Sequence, residues 1–322
     1  MRVFITGGAG FIGSHLAIAY ENRGCEVVIL DNLSTGNLTN LVKRGFQGEV
    51  VTGDIRDESK VETLTKRSDL VLHMAAALGV ANIMNFPLES MSTNITGSEV
   101  VLKAAAKREK RILIASTSEI YGKNPIQPLS EEDDRVIGTP QNIRWSYSDA
   151  KAIEEAMARS LNIQMGLKVT TARFFNTVGP GQTGRYGMVI PKFVQSALKN
   201  KEILVHGDGN QRRVFCHVDD VICAVSKLME TEDTIGEVYN IGGKDEISIN
   251  DLAKLITSKS GSTSEIHHIP YNEVYPIGFE DMERRIPNIS KIQRTIAWQP
   301  EKTLDNIIDD VILDFRTNNE SN

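Results

Sequence analysis

Four glycines, Gly7, Gly8, Gly10 and Gly13, stand directly behind the short run Arg2–Thr6 and in front of an apolar helical stretch. They satisfy G-x-G-x-x-G from Gly8 and G-x-x-G-x-x-G from Gly7 at once. Glycine permits the tight turn, lets the backbone approach a pyrophosphate and allows close helix–strand packing, while the helix N-terminus adds N–H donors and a positive dipole. Alone, such a loop is a common pattern. Asp31, eighteen residues after Gly13 at the end of the second predicted strand, completes the signature, because a carboxylate there accepts hydrogen bonds from an adenosine ribose. Gly7, Gly10, Phe11, Ile12 and Gly13 are therefore expected to touch a dinucleotide. Asp31 repels a 2′-phosphate and is followed by Asn32 rather than an arginine, so NAD is expected over NADP. Asp54 and Ile55 are placed to meet the adenine, although an Asp at a strand end often only caps a helix.

The rest of the first half repeats the pattern. RVFIT, EVVIL, EVVTG (residues 49–53), DLVLHM (69–74), RILIAS (111–116) and KVTTARF (168–174) read as strands, and their continuous apolar character suits burial on both faces. Helical segments at 14–22, 61–66, 95–108 and 146–161 lie between them, which predicts an α/β fold with a doubly wound parallel sheet of the Rossmann type. In the last helix Ile153, Met157 and Leu161 recur every four residues, with Lys151, Glu154 and Glu155 elsewhere on the cylinder. Beyond Phe174 the alternation breaks at the polar loop 176–187. The expected division is a nucleotide domain of 1–175 and 213–243, interleaved with a smaller C-terminal substrate lobe of 176–212 and 244–322.

Composition excludes several other classes. Against 36 Lys and Arg stand 42 Asp and Glu, a net charge of −6 that disfavours a nucleic acid partner. No apolar run approaches the roughly 20 residues needed to span a bilayer. Cys25, Cys216 and Cys223 form neither a CxxC pair nor an even framework, as expected of a cytoplasmic protein. His15, His73, His206 and His217 are scattered through separate motifs and the adjacent His267 and His268 would point in opposite directions in a strand, so no metal site is expected.

Tyr147 and Lys151 form YSDAK, an i, i+4 pair on one helix face. A lysine charge beside the phenol favours the phenolate and makes Tyr147 a candidate base for a hydroxyl proton while hydride leaves to a nicotinamide.

With these motifs in place the chain resembles the extended short-chain dehydrogenase/reductase family of nucleotide-sugar epimerases, decarboxylases and dehydratases. TGGAGFIGSH, DNLSTGN, GDI, HMAA, TNITG, STSEIYG, YSDAK, RFFNTVGPG, GDGNQRRVF, HVDDV and NIGG match family motifs in order. The resemblance implies that Thr117 binds the sugar O4 beside Tyr147, that Asn176 and Arg213 hold the diphosphate of a UDP-sugar, and that Ala75 and Asn94 belong to the cofactor side. It also implies a homodimer built from the helices at 95–108 and 146–161. Ala104, Ala105, Ala106, Ala150, Ala152 and Ala156 would permit their close contact, though such faces also pack inside one subunit.

Members share oxidation of C4 to a ketone and differ in the fate of that ketone. Ser118 stands where 4,6-dehydratases carry Asp, which disfavours dehydration. Thr117-Ser118-Glu119 and MERRIPNISK, with Arg285 before the proline, resemble nucleotide-glucuronate decarboxylases. Once C4 is a ketone the C6 carboxylate is a β-keto acid, and Glu119 and Arg285 are expected to handle it. The favoured reaction is decarboxylation of UDP-glucuronate to UDP-xylose or its 4-keto precursor. The alternative is a UDP-sugar 4-epimerase, which needs only Thr117, Tyr147, Lys151 and a roomy pocket; Leu78 replaces the lysine of several galactose epimerases. A non-catalytic NAD sensor on the same fold would be expected to have lost the reactive residues that this chain keeps.

Overall fold

Strands β1 (Arg2–Thr6), β2 (Glu26–Asp31), β3 (Glu49–Thr52), β4 (Leu70–His73), β5 (Arg111–Thr117), β6 (Lys168–Phe174) and β7 (Val238–Ile241) form one parallel sheet in the order β7-β6-β5-β4-β1-β2-β3. The computed structural model describes residues 1–184, 187–275, 280 and 282–320. Side chains alternate across the pleat. In β1, Val3 and Ile5 enter one core with Ile29, Leu72 and Leu113, while Phe4 enters the opposite core with Val28, Val71 and Ile112. Both faces are covered, which is why these strands read as unbroken apolar runs rather than as alternating ones.

The connection from β3 to β4 passes to the other side of β1, so the winding reverses between β1 and β4. In an open parallel sheet a crevice forms there, outside the carboxyl ends of the strands. The sequence places the glycine turn, Asp31, Ala75 and Thr117 at those ends.

The helices expected at 14–22 and 61–66 start three residues earlier, at Phe11 and Glu58, and the other two differ further. The one expected at 95–108 begins as a π-turn, Thr93–Gly97, and continues as Ser98–Lys107. A β-carbon on Gly97 would collide with the Ile55 side chain, so this glycine lets the helix press against the strand-end residue. The helix Ser146–Met165 runs four residues past Leu161 to a left-handed cap at Gly166. Its buried face is polar: Lys151 is 2% exposed and Glu154 fully buried, whereas Ile153 is 43% exposed. The expected amphipathic sense is thus reversed at the start of the helix, because the side facing the sheet carries charged groups and leaves Ile153 outside.

The second lobe packs helices Val189–Leu198, Ile249–Ser260 and Leu304–Glu320 with strands Ile203–His206 and Ile266–Ile269 around Ile190, Val194, Leu252, Ile256 and Ile308. Strand Arg212–Val214, at the expected point of return to the first lobe, instead lies in a small sheet between Glu246–Ser248 and Arg284–Arg285. Arg285 is the direct partner of Arg213 in that pairing. Between its two passages through this lobe the chain forms helix Val218–Glu230 and β7 of the large sheet, so the lobes interleave. Arg185 and Tyr186 of the predicted polar loop lie outside the described residues. Among the described residues, no helix is long and apolar enough to cross a membrane.

Candidate active site

At the switch point Gly7 adopts φ +69°, and a β-carbon on it would lie 2.7 Å from the Ala75 backbone; one on Gly13 would collide with the Gly7 carbonyl. The turn therefore accepts no side chain at either place. A cleft of about 540 Å³ opens from it, and Gly7, Gly10, Phe11, Ile12, Gly13 and Ala75 line its floor.

Asp31 is 7% exposed and accepts from the backbone N–H of Ala9 at 2.9 Å and of Leu33 at 2.8 Å. Burial raises its pKa, and those two N–H groups oppose the rise. Each carboxylate oxygen keeps a further acceptor position for a ribose hydroxyl. A β-carbon on Gly36 would lie 2.9 Å from both oxygens, so Gly36 keeps the space over Asp31 open. These acceptors fit the hydroxyls of an adenosine ribose without a 2′-phosphate.

Asn32 and Ile55 also line the cleft. Asp54, expected at the adenine, is engaged elsewhere: Arg56 donates to both its oxygens at 2.8 Å and Asn32 Nδ2 to one at 3.1 Å, and the Arg56 hydrogen bonds hold its carboxyl far below the usual range. Asn94, expected on the cofactor side, is 1% exposed and spends its amide on the Ala77 backbone, accepting from N–H at 2.7 Å and donating to the carbonyl at 2.9 Å. It shapes the wall after β4 rather than lining the cleft.

At the other end of the cleft Thr117, Glu119, Tyr147, Asn176, Arg213 and Arg285 come together, joined by Arg144. Arg285 Nη2 lies 2.8 Å from Glu119 Oε1, and Arg144 Nη2 2.6 Å from Glu119 Oε2, as ion pairs. Burial alone would raise the pKa of Glu119, but Arg285 and Arg144 outweigh it and hold it at about 2. Three guanidiniums against one carboxylate leave a surplus of positive charge at this end. Asn176, held at φ +31°, donates through Nδ2 to the Val214 carbonyl at 2.8 Å. Sequence reasoning does not single out Arg144 as a site residue; the segment RWSYSDAK, which resembles the corresponding segment of the decarboxylases that act on UDP-glucuronate and sets Arg144 three residues before Tyr147, is the available signal.

Tyr147 is hydrogen-bonded with Thr117, but burial, and then the charges of Glu119 and Glu154, raise its pKa. Lys151, expected to place its charge beside the phenol, is paired on its own helix: Nζ donates to the buried Glu154 Oε2 at 2.5 Å.

The sequence profile of the NAD dependent epimerase/dehydratase family matches residues 3–242. The chain is 40% identical to the UDP-N-acetyl-alpha-D-glucosaminuronate decarboxylase of Bacillus cytotoxicus, over 98% of each chain. It is 33% identical to UDP-glucuronic acid decarboxylase 1 of Xenopus tropicalis, over 98% of this chain and 72% of that protein. Among solved structures, UDP-glucose 4-epimerase of Thermotoga maritima, crystallised with UDP-glucose, superposes with a TM-score of 0.89 at 30% identity over 99% of both chains. Glycine turn, ribose carboxylate and tyrosine thus stand in one cleft of a chain that the family profile covers for most of its length: the protein is an enzyme of the NAD-dependent epimerase/dehydratase family, with NAD as its cofactor.

Proposed function

We propose that the enzyme decarboxylates a UDP-hexuronate, with UDP-glucuronate or its 2-acetamido analogue as substrate. The carrying observation is the position of Glu119 between Arg144 and Arg285, beside Tyr147 and Thr117. A neutral hexose gives such a cluster no charge to bind, whereas a C6 carboxylate does, and a guanidinium fork grips it in two places. The two decarboxylase relatives support the same reading.

In this reading Thr117 orients the C4 hydroxyl and Tyr147 takes its proton. Bound NAD supplies reversible hydride acceptance at C4. The resulting β-keto acid loses CO₂ as the C5–C6 bond electrons pass into the C4 enolate, and Arg144 and Arg285 hold the carboxylate for that step. Glu119 orients both arginines, and water supplies the proton that C5 takes up once CO₂ has left. Arg213 and Asn176 hold the diphosphate.

The likeness to the Thermotoga 4-epimerase favours a second reading, 4-epimerisation, for which Thr117, Tyr147 and Lys151 suffice. Incubation with UDP-glucuronate, UDP-N-acetylglucosaminuronate, UDP-glucose and UDP-N-acetylglucosamine, followed by mass measurement, separates the two. Loss of CO₂ from either acid supports decarboxylation; an unchanged mass with inverted C4 supports epimerisation and overturns it.

A cytoplasmic homodimer completes the proposal. Cys25, Cys216 and Cys223 are all free, as a reducing compartment leaves them. Of the six alanines expected at the dimer contact, Ala104, Ala105, Ala106 and Ala150 are already buried within the subunit. The available face is instead the outer stripe of helix Ser146–Met165, where Ile153 and Ile163 are 43% and 69% exposed.

A further inference from the structure

Tyr147, Lys151 and Glu154 fall at i, i+4 and i+7 of one helix and share a face. Glu154 is fully buried, and the proton transfer assigned to Tyr147 and Thr117 and the arginine cluster make no use of it. A buried carboxylate without a cation is expensive. Its surroundings identify the cation. From β4, His73 Nε2 lies 3.8 Å from Glu154 Oε1, but burial and then the Lys151 charge hold the imidazole at about 3, so it is neutral. His73 is itself held by Thr6 Oγ1 at 2.7 Å and Ser98 Oγ at 2.9 Å, and Ser98 adjoins Glu154 from its own helix. Glu155, the next carboxylate, is taken by Arg173 of β6 at 2.7 Å and by Ser116 of β5. Glu119 is taken by Arg144 and Arg285. Burial raises the pKa of Glu154, and the Lys151 ammonium at 2.5 Å opposes that rise as its counter-ion.

We propose that Glu154 is a positioning residue that tethers the Lys151 ammonium and offsets its charge at Tyr147, thereby setting the pH below which the base fails. Lysine alone favours the phenolate; a lysine–glutamate pair favours it less. The charge of Glu154 accordingly acts on Tyr147 in the direction opposite to that of Lys151. Glu154 then determines how much of the lysine's field reaches the reaction.

The inference rests on Tyr147 being the base, which both decarboxylation and epimerisation require. The test is the pH dependence of kcat for Glu154→Gln, with NAD bound, on UDP-glucuronate, or on UDP-glucose should the acid not turn over. The glutamine oxygen still accepts from Nζ, so the lysine stays placed while the carboxylate charge is lost. The acid limb should move down by about one pH unit, with KM little changed. A Glu154→Gln enzyme with lower kcat at every pH and an unmoved limb has lost only packing, and that result overturns the proposal. Should this variant not fold, Glu154→Asp withdraws the charge from Nζ by one methylene and must move the limb the same way; an unmoved limb overturns it equally. Tyr147→Phe is the control. If that variant is inactive while the limb of Glu154→Gln stays in place, only the role of Glu154 fails; if Tyr147→Phe is active, the assignment of the base fails as well.

Discussion

Arg285 reaches across from the second lobe to place Nη2 2.8 Å from Glu119 Oε1, at the end of the large sheet. Both side chains are largely buried, so Arg285→Ala tests stability as well as chemistry. Arg285→Lys is the cleaner change, since it keeps the charge and loses the fork. We expect it to fold, to bind NAD normally and to release CO₂ from UDP-hexuronate at least tenfold more slowly, about 1.4 kcal/mol in the barrier. Unimpaired CO₂ release in a quench assay would remove Arg285 from the reaction.

Tyr147→Phe should lower kcat by several orders of magnitude with little change in KM, because it removes a proton transfer rather than uniform binding. Steady-state kinetics on the natural substrate decide it. Turnover equal to the parent enzyme's would mean that another group is the base.

Glu119 also makes a prediction about acid. Its carboxyl sits at about 2 in the folded chain against an ordinary 4.5, so the folded state binds its proton less readily than the unfolded state. The contribution to stability is fully present above pH 4.5 and is lost as the pH falls towards 2. In Glu119→Gln that part of the acid dependence should vanish, and denaturant titrations between pH 5 and 2 in parallel with the parent protein measure it. Equal slopes for the two proteins would show that the pair with Arg285 and Arg144 carries no such linkage.

Gly36→Ala should weaken NAD binding by about tenfold, roughly 1.4 kcal/mol, because the added methyl meets both oxygens of Asp31 at 2.9 Å. Calorimetric titration of NAD-depleted protein reads the change. An unaltered affinity would place the adenosine ribose elsewhere.

Ile153→Glu combined with Ile163→Glu should convert a dimer into a monomer by light scattering at micromolar concentration. Both positions face outward, so the subunit itself should keep its melting temperature to within a few degrees. A parent protein that is monomeric under the same conditions removes the dimer.

Legibility in the sequence tracks local physics. The six early strands and the glycine turn are readable because burial on both faces and backbone sterics write themselves into consecutive residues. Tyr147, Thr117 and Glu119 are readable because short motifs carry them. Glu154 is not, since helical periodicity assumes an apolar inward face and this helix turns two charges inward. Arg144 escapes for a related reason: its motif places it before Tyr147, but its partner Glu119, twenty-five residues away, is brought to it only by the fold. Asp54 and Asn94 sit in motifs, but motifs do not say whether a polar side chain faces the ligand or the backbone that shapes the site.

The pairing of Arg285 with Arg213 makes the small sheet, in the proposed reading, a gauge for substrate length. Adjacent strands stand about 4.8 Å apart, so the group proposed to grip the diphosphate and the group proposed to grip the sugar acid are spaced by one strand-to-strand step. Just past Arg285, Leu129 pins the chain on both sides, donating to the Ile286 carbonyl at 2.8 Å and accepting from Asn288 N–H at 2.7 Å. A slip of one residue would turn Arg285 to the opposite face and release Glu119. Insertions that preserve this register should therefore be tolerated, whereas a single added residue within it would leave two intact half-sites that no longer measure the same molecule.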